Sequence, residues 1–127
     1  LPASDSALQI FFYGTLMRGE TAHHLLAGRA TFVGDASVAG TLLALGQFPG
    51  IVAGRGRVRG EVWRLDAPEL LRTLDDYEGY NFERRASIAT LASGRRVRAW
   101  LYRYRGPRSR TVNAVIPEGD WRRRSWR

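Results

Sequence analysis

One stretch in the middle of the chain carries a complete helix pattern, and it limits what the strand-like sequence on either side can do. In Asp66-Ala67-Pro68-Glu69-Leu70-Leu71-Arg72-Thr73-Leu74-Asp75-Asp76-Tyr77-Glu78-Gly79, Asp66 is a good N-cap, Pro68 fits the first turn, and Glu69 stands where a capping box places its acid. Gly79 supplies a C-cap at which positive φ carries no steric cost. Leu70, Leu71, Leu74 and Tyr77 make the apolar stripe of a helix lying on a core. Glu78 follows Leu74 by four positions and Leu71 by seven, so it shares that inward face, while Asp75 and Asp76 are expected to point toward solvent. A carboxylate on the buried stripe at a helix C-terminus loses hydration and meets the negative end of the backbone dipoles. Both effects raise its pKa toward the range useful for proton transfer. The plainer alternative is a surface carboxylate at a frayed end, paired with an arginine.

The flanking sequence reads as strands broken by glycine. Leu8 to Tyr13 is dense in residues that pack well on a sheet and stops at Gly14-Thr15-Leu16. Glu20 to Ala27 reads as a short helix. A strand that runs into glycine and then toward a helix leaves backbone N–H groups unpaired, able to hold a carboxylate or an oxyanion. Ala30 to Leu45 offers two extended pieces split at Gly40. Gly46 to Gly50 reads as a loop, and Gly54-Arg55-Gly56-Arg57 as a further turn. In Val58 to Leu65 neither alternating face is purely polar, so both are expected to be covered and Glu61 to approach the interior. Glu83 to Leu91 and Arg96 to Tyr104 form a hairpin around Ser93-Gly94. Its aromatic face of Trp100, Tyr102 and Tyr104 suits a core or pocket wall better than a base-stacking platform. Val112 to Ile116 is a last strand. The expected architecture is α+β: a small, strongly curved mixed sheet or partial barrel with helices packed outside it. Residues 1–7 read as a loose leading segment, 8–121 as one domain, and 122–127 as a basic tail.

Composition narrows the chemistry. The chain has 127 residues, no cysteine and a formal charge of +8, and all 20 of its basic residues are arginine. Thiol catalysis, disulfides, cysteine–metal sites and lysine Schiff bases are excluded. His23 and His24 are adjacent and diverge on a helix, so they do not form a metal pair; one is expected packed or capping and the other solvent-facing. No metal and no cofactor are expected. Serine catalysis lacks a histidine partner. A single-base reaction at Glu78, facing the donor-rich turn at Gly14, Thr15 and Leu16, uses the available groups most economically. The absence of a membrane-length apolar run or signal-peptide pattern gives the expectation of a cytoplasmic protein with no membrane partner.

The ordered set Phe12-Tyr13-Gly14-Thr15-Leu16, His24-Leu25-Leu26, Phe48-Pro49-Gly50-Ile51-Val52, Val58-Arg59-Gly60-Glu61-Val62-Trp63, Leu74-Asp75-Asp76-Tyr77-Glu78-Gly79-Tyr80, Phe82-Glu83-Arg84, Ala99-Trp100-Leu101-Tyr102 and Gly119-Asp120-Trp121 resembles the gamma-glutamylcyclotransferase-like superfamily, in its AIG2-like and gamma-glutamylamine cyclotransferase branch. The resemblance spans residues 8–121. It implies a small mixed barrel with a cavity at its mouth, and an enzyme that cyclises a gamma-glutamyl group without cofactor, releasing 5-oxoproline and an amine or amino acid. It places the catalytic glutamate on Glu78 and the substrate-holding turn on Tyr13, Gly14, Thr15 and Leu16. Pro49, Gly50, Phe82 and Arg84 are implied as further substrate contacts. One departure stands out: the family pattern has tyrosine two residues before the arginine, and here that position is Phe82. Two other readings follow in rank. A non-catalytic small-molecule or peptide binder requires Glu78 locked to Arg84 and a filled cavity. A nucleic-acid binder requires a contiguous arginine stripe.

Overall fold

The computed structural model describes residues 8–107 and 113–123. The expected loose segment at 1–7, the start of the expected last strand at Val112 and the final residues 124–127 of the expected tail lie outside this range. Among the described residues six strands occur, in the order β1 (Gln9–Phe12), β2 (Ala30–Leu45), β3 (Pro49–Leu65), β4 (Phe82–Leu91), β5 (Arg96–Tyr104) and β6 (Asn113–Val115). One α-helix, α1 (Leu70–Glu78), lies between β3 and β4.

The first five strands close on themselves. β1 pairs antiparallel with β3, β3 with β2, β2 with β4, and β4 with β5, and β5 returns to β1 in parallel through Trp100 and Ile10. The result is a small mixed barrel to which β6 adds along the end of β2. Closure removes sheet edges and encloses a core of Ile10, Phe11, Val38, Leu42, Val58 and Leu101. The alternation in β3 puts Val58 and Val62 on one covered face and Glu61, Trp63 and Leu65 on another, as its mixed pattern requires.

Four expectations need correction. The helix begins at Leu70 with Glu69 at its N-cap and no side-chain cap, where Asp66 was the expected N-cap. Asp66 instead accepts a hydrogen bond from the Thr31 hydroxyl and lies against Arg64, so a partner on β2 outcompetes the local cap. The 20–27 helix contracts to a 3₁₀ turn at His23–Leu26. Ala30 to Leu45 is one strand, and Gly54 to Arg57 lies within β3. The ladder between those strands skips from Ala39–Arg57 to Thr41–Val52. Gly40, at φ 155°, and the small residues opposite form a bulge that bends the barrel wall, so these glycines mark curvature where the sequence suggested breaks.

The C-terminal end of α1 follows its pattern. Gly79 takes φ 79° and its N–H closes onto the Asp75 carbonyl. Leu70 and Leu74 are fully buried in the barrel core, each worth about 2 kcal/mol of burial. Trp121 is buried as well, and the 3₁₀ turn Trp121–Arg123 lies against the domain.

Candidate active site

The mouth of the barrel opens into a cavity of about 340 Å³. The turn after β1 forms one wall, through Tyr13, Gly14, Thr15 and Leu16. The β2–β3 connection supplies Gln47, Phe48 and Pro49; α1 supplies Tyr77 and Glu78; the hairpin supplies Phe82 and Tyr102. Segments far apart in sequence converge here because the short β1 sits between β3 and β5, so its exit faces the exit of α1.

Glu78 is partly buried and has no hydrogen bond or ion pair with another described residue. Burial alone pushes its carboxyl from 4.5 up to about 7. The phenols of Tyr13 and Tyr102 are near enough that ionised Glu78 raises their pKa values further, above an upward shift caused first by their own burial. Neither phenol serves as an acid near neutral pH. Tyr13 donates to the Tyr102 carbonyl and accepts from the Ile51 N–H at 3.1 Å, which anchors the base of the turn to β3 and β5.

The turn itself presents donors. The N–H groups of Gly14, Thr15 and Leu16 have no acceptor among the described residues, whereas the carbonyls of Gly14 and Thr15 are engaged by Met17 and Ala22. A side chain at position 14 would not fit: a Cβ there would lie 2.7 Å from Cγ of Pro49. Thr15 and Tyr77 share a hydroxyl hydrogen bond of 2.8 Å, tying the turn to α1 on the side of the cavity that holds Glu78. Behind the turn, buried Glu61 accepts from the Arg18 N–H at 3.1 Å, the Arg18 Nε at 2.9 Å and the indole of Trp63 at 3.1 Å, with Arg122 at 3.7 Å. Glu61 thus meets the expectation of an interior carboxylate, and its role is to clamp the end of the turn. His23 donates its Nδ1–H to the Leu16 carbonyl at 2.9 Å and packs on Trp63, while His24 is exposed.

Of the nine residues expected at the site, Tyr13, Gly14, Thr15, Leu16, Pro49, Glu78 and Phe82 line the cavity. Gly50 and Arg84 do not. Gly50 is packed behind the wall, where a Cβ would meet Leu45 and Tyr104. Arg84 lies outside the cavity, stacked over Trp100 and bound to Asp75 through Nε at 2.9 Å and a terminal nitrogen at 3.2 Å. Asp75 also accepts from the Tyr102 hydroxyl at 2.6 Å. Desolvation opposes ionisation of Asp75, but these bonds outweigh it and hold the carboxyl below its ordinary range. Sequence reasoning sent Asp75 to solvent. The missed signal was its spacing: Asp75 precedes Glu78 by three positions and so leans toward the same side of α1.

The model of the family "Gamma-glutamyl cyclotransferase, AIG2-like" matches residues 10–123. The chain belongs to that family. It is 33% identical over 117 residues to the gamma-glutamylcyclotransferase family protein YtfP of Escherichia coli strain K12, a match covering 90% of this chain and 96% of that protein. It is 32% identical over 114 residues to a putative gamma-glutamylcyclotransferase of Vibrio cholerae, covering 88% and 93%. The crystal structure of protein PH0828 from Pyrococcus horikoshii superposes with a TM-score of 0.70 at 26% identity, over 91% of this chain and 90% of that one. The shared fold accounts for the barrel. Among the described residues no helix is long and apolar enough to cross a membrane.

Proposed function

We propose that the protein is a gamma-glutamyl cyclotransferase that converts a small gamma-glutamyl amide to 5-oxoproline and a free amine or amino acid, with Glu78 as general base and then general acid. One observation carries the reading: a carboxyl without a partner among the described residues, poised at about 7, shares a cavity with three unengaged backbone donors.

The chemistry follows from those groups. The α-amine of the glutamyl moiety is the nucleophile and must be neutral to attack. Glu78 accepts its proton, and a carboxyl with a pKa near ambient pH is well matched to accept and return one. Attack on the γ-carbonyl closes a five-membered lactam within a single molecule, so folding of the glutamyl arm replaces a collision with a second reactant. Correct placement can lower the barrier by several kcal/mol. The amides of Gly14, Thr15 and Leu16 are suited to the α-carboxylate or to the oxyanion that develops at the carbonyl. Protonated Glu78 then delivers its proton to the departing nitrogen as the C–N bond breaks. Atoms balance without water, metal or cofactor.

The arrangement favours turnover over simple binding. Arg84, the residue that would have locked Glu78, is committed to Asp75, and the cavity is open. Phe82 packs between Phe48 and Tyr104 and offers a ring without a hydroxyl, so no phenol at that position assists proton transfer. The test is release of 5-oxoproline from a panel of gamma-glutamyl amines, gamma-glutamyl dipeptides and glutathione. Glu78→Gln should retain the fold and lose at least a hundredfold in kcat. Turnover by that variant close to the parent's would overturn the assignment, as would absence of product from the parent across the panel.

A further inference from the structure

On the flank of the barrel, away from the cavity, β4 leaves β2 after only two paired positions, Leu91–Ala36 and Thr90–Ser37. The strands diverge and leave a groove of about 420 Å³. Four arginines line it: Arg57 from β3, Arg85 from β4, and Arg96 and Arg103 from β5. No acidic residue lines it; Glu83, the ladder partner of Arg103 on the neighbouring strand, makes its ion pair with Arg85, at 3.6 Å. Arg57 is bonded to Ser37 and Thr90, which fixes its guanidinium at one end. The guanidinium groups of Arg96 and Arg103 have no hydrogen bond or ion pair with a described residue, and the Nε of Arg103 is buried with no acceptor. A buried donor without a partner costs free energy that a bound acceptor would restore.

The positions of these arginines describe the shape of a ligand. Arg96 faces Thr90 across the hairpin and Arg85 faces Leu101, next but one to Arg103. Arg57 reaches Thr90, the ladder partner of Arg96, at one end of the groove. Arg85 and Arg103 come from backbone about 17 Å further along the hairpin, so the basic residues are spread along the groove and not gathered at one point. A single carboxylate would satisfy one end and leave the other. The fork of each guanidinium matches phosphate oxygens. The remaining lining is small and aliphatic, with Val38, Ala39, Ala86 and Ile88, and holds no aromatic ring on which a base could stack.

We propose that this groove is an anion site that binds an extended chain of phosphates, distinct from the cavity that holds Glu78. Arg103 and Arg96 are its principal contacts, and the phosphates, not any attached base, are recognised. The experiment is isothermal titration of the full chain with a short linear inorganic polyphosphate, with orthophosphate, and with a single-stranded oligothymidylate, at low and at physiological salt. Polyphosphate should bind at least tenfold more tightly than orthophosphate. Arg96→Gln with Arg103→Gln should weaken polyphosphate binding tenfold or more. Arg29→Gln with Arg72→Gln, which removes the same charge elsewhere, should change it less than twofold. Thermal melting of both double variants in the absence of anion checks that each is folded. Equal weakening by the two double variants would mean that binding follows net charge alone and would overturn the site. Failure of the parent to bind polyphosphate would do the same, and tighter binding of the oligothymidylate would replace the occupant with nucleic acid.

Discussion

Replacing Glu78 with glutamine should make the protein more stable, and only where the carboxyl would be ionised. The carboxyl is raised from 4.5 to about 7 by burial. Between those two pH values the folded state holds a proton that the unfolded chain has already released. Stability therefore falls as pH rises through this window and levels off above 7. At about 1.4 kcal/mol per pH unit, the cost accumulated by pH 8 is about 3 kcal/mol. Glutamine is nearly isosteric and has no charge to desolvate, so it escapes that cost. Below pH 4 both side chains are neutral in both states and the two proteins should be equal.

The assay is urea unfolding of parent and Glu78→Gln at pH 4 and pH 8, followed by tryptophan fluorescence. The variant should gain about 2–3 kcal/mol at pH 8, with a rise in Tm on the order of 10 °C, and gain little at pH 4. A gain that is the same at both pH values would show that packing or helix propensity, not a desolvated charge, is responsible. No gain at pH 8 would show that Glu78 is already solvated or paired, and would remove the physical basis for its role in proton transfer. A carboxylate that costs stability is what a site retained for chemistry produces.

Other substitutions probe the support around the cavity. Tyr102→Phe removes the 2.6 Å bond to Asp75 and should cost about 1–2 kcal/mol by thermal melting, an effect that should vanish in an Asp75→Asn background. Gly14→Ala forces a Cβ against Pro49 and should raise KM for the glutamyl substrate about tenfold while changing Tm by only a few degrees. Glu61→Gln leaves the guanidinium of Arg18 and the nearby Arg122 without their shared carboxylate; it should cost about 2–4 kcal/mol in urea unfolding and also raise KM, because the turn ends at Arg18.

The sequence made some of this legible and not the rest, for identifiable reasons. Periodicity in α1 ran over enough residues to place Glu78 on the inward face and Gly79 at the C-cap. The β4–β5 hairpin was clear because Ser93-Gly94 separates two long runs of strand formers. The barrel closure depends on contacts that leave no local trace: the parallel step from β5 to β1 joins positions as distant as Trp100 and Ile10. Glycines misled where their purpose was approach rather than reversal. Gly54 has its backbone so near Thr41 that a Cβ would overlap the hydroxyl, and that requirement cannot be distinguished from a turn in one dimension. Asp66 misled because its best partner, Thr31, comes from another strand. Arg84 was expected beside substrate from the resemblance; it shares a face of β4 with Phe82, two positions earlier, but Asp75 captures its guanidinium outside the cavity.

Three carboxylates near the mouth of the barrel show how environment assigns work to identical chemistry. Glu61 is fully buried yet held by an arginine, a backbone amide and an indole, so it fixes structure. Asp75 is half-exposed and bound by Arg84 and Tyr102, so it stays charged and joins α1 to the hairpin. Glu78 is the one acid lining the cavity and is given no partner by the described residues. In a chain with 20 arginines that omission is informative, since a guanidinium within reach would lower its pKa and end its usefulness as a base near neutral pH. Arg84, the nearest arginine that follows it in sequence, is diverted by Asp75. The ion pair outside the cavity thereby keeps a guanidinium away from the carboxyl inside it, as the proposed proton transfer requires. On this argument Asp75→Asn should release Arg84 toward α1 and lower the pH at which Glu78 ionises, moving the acid limb of the kcat/KM profile downward. An unchanged limb would separate the two carboxylates.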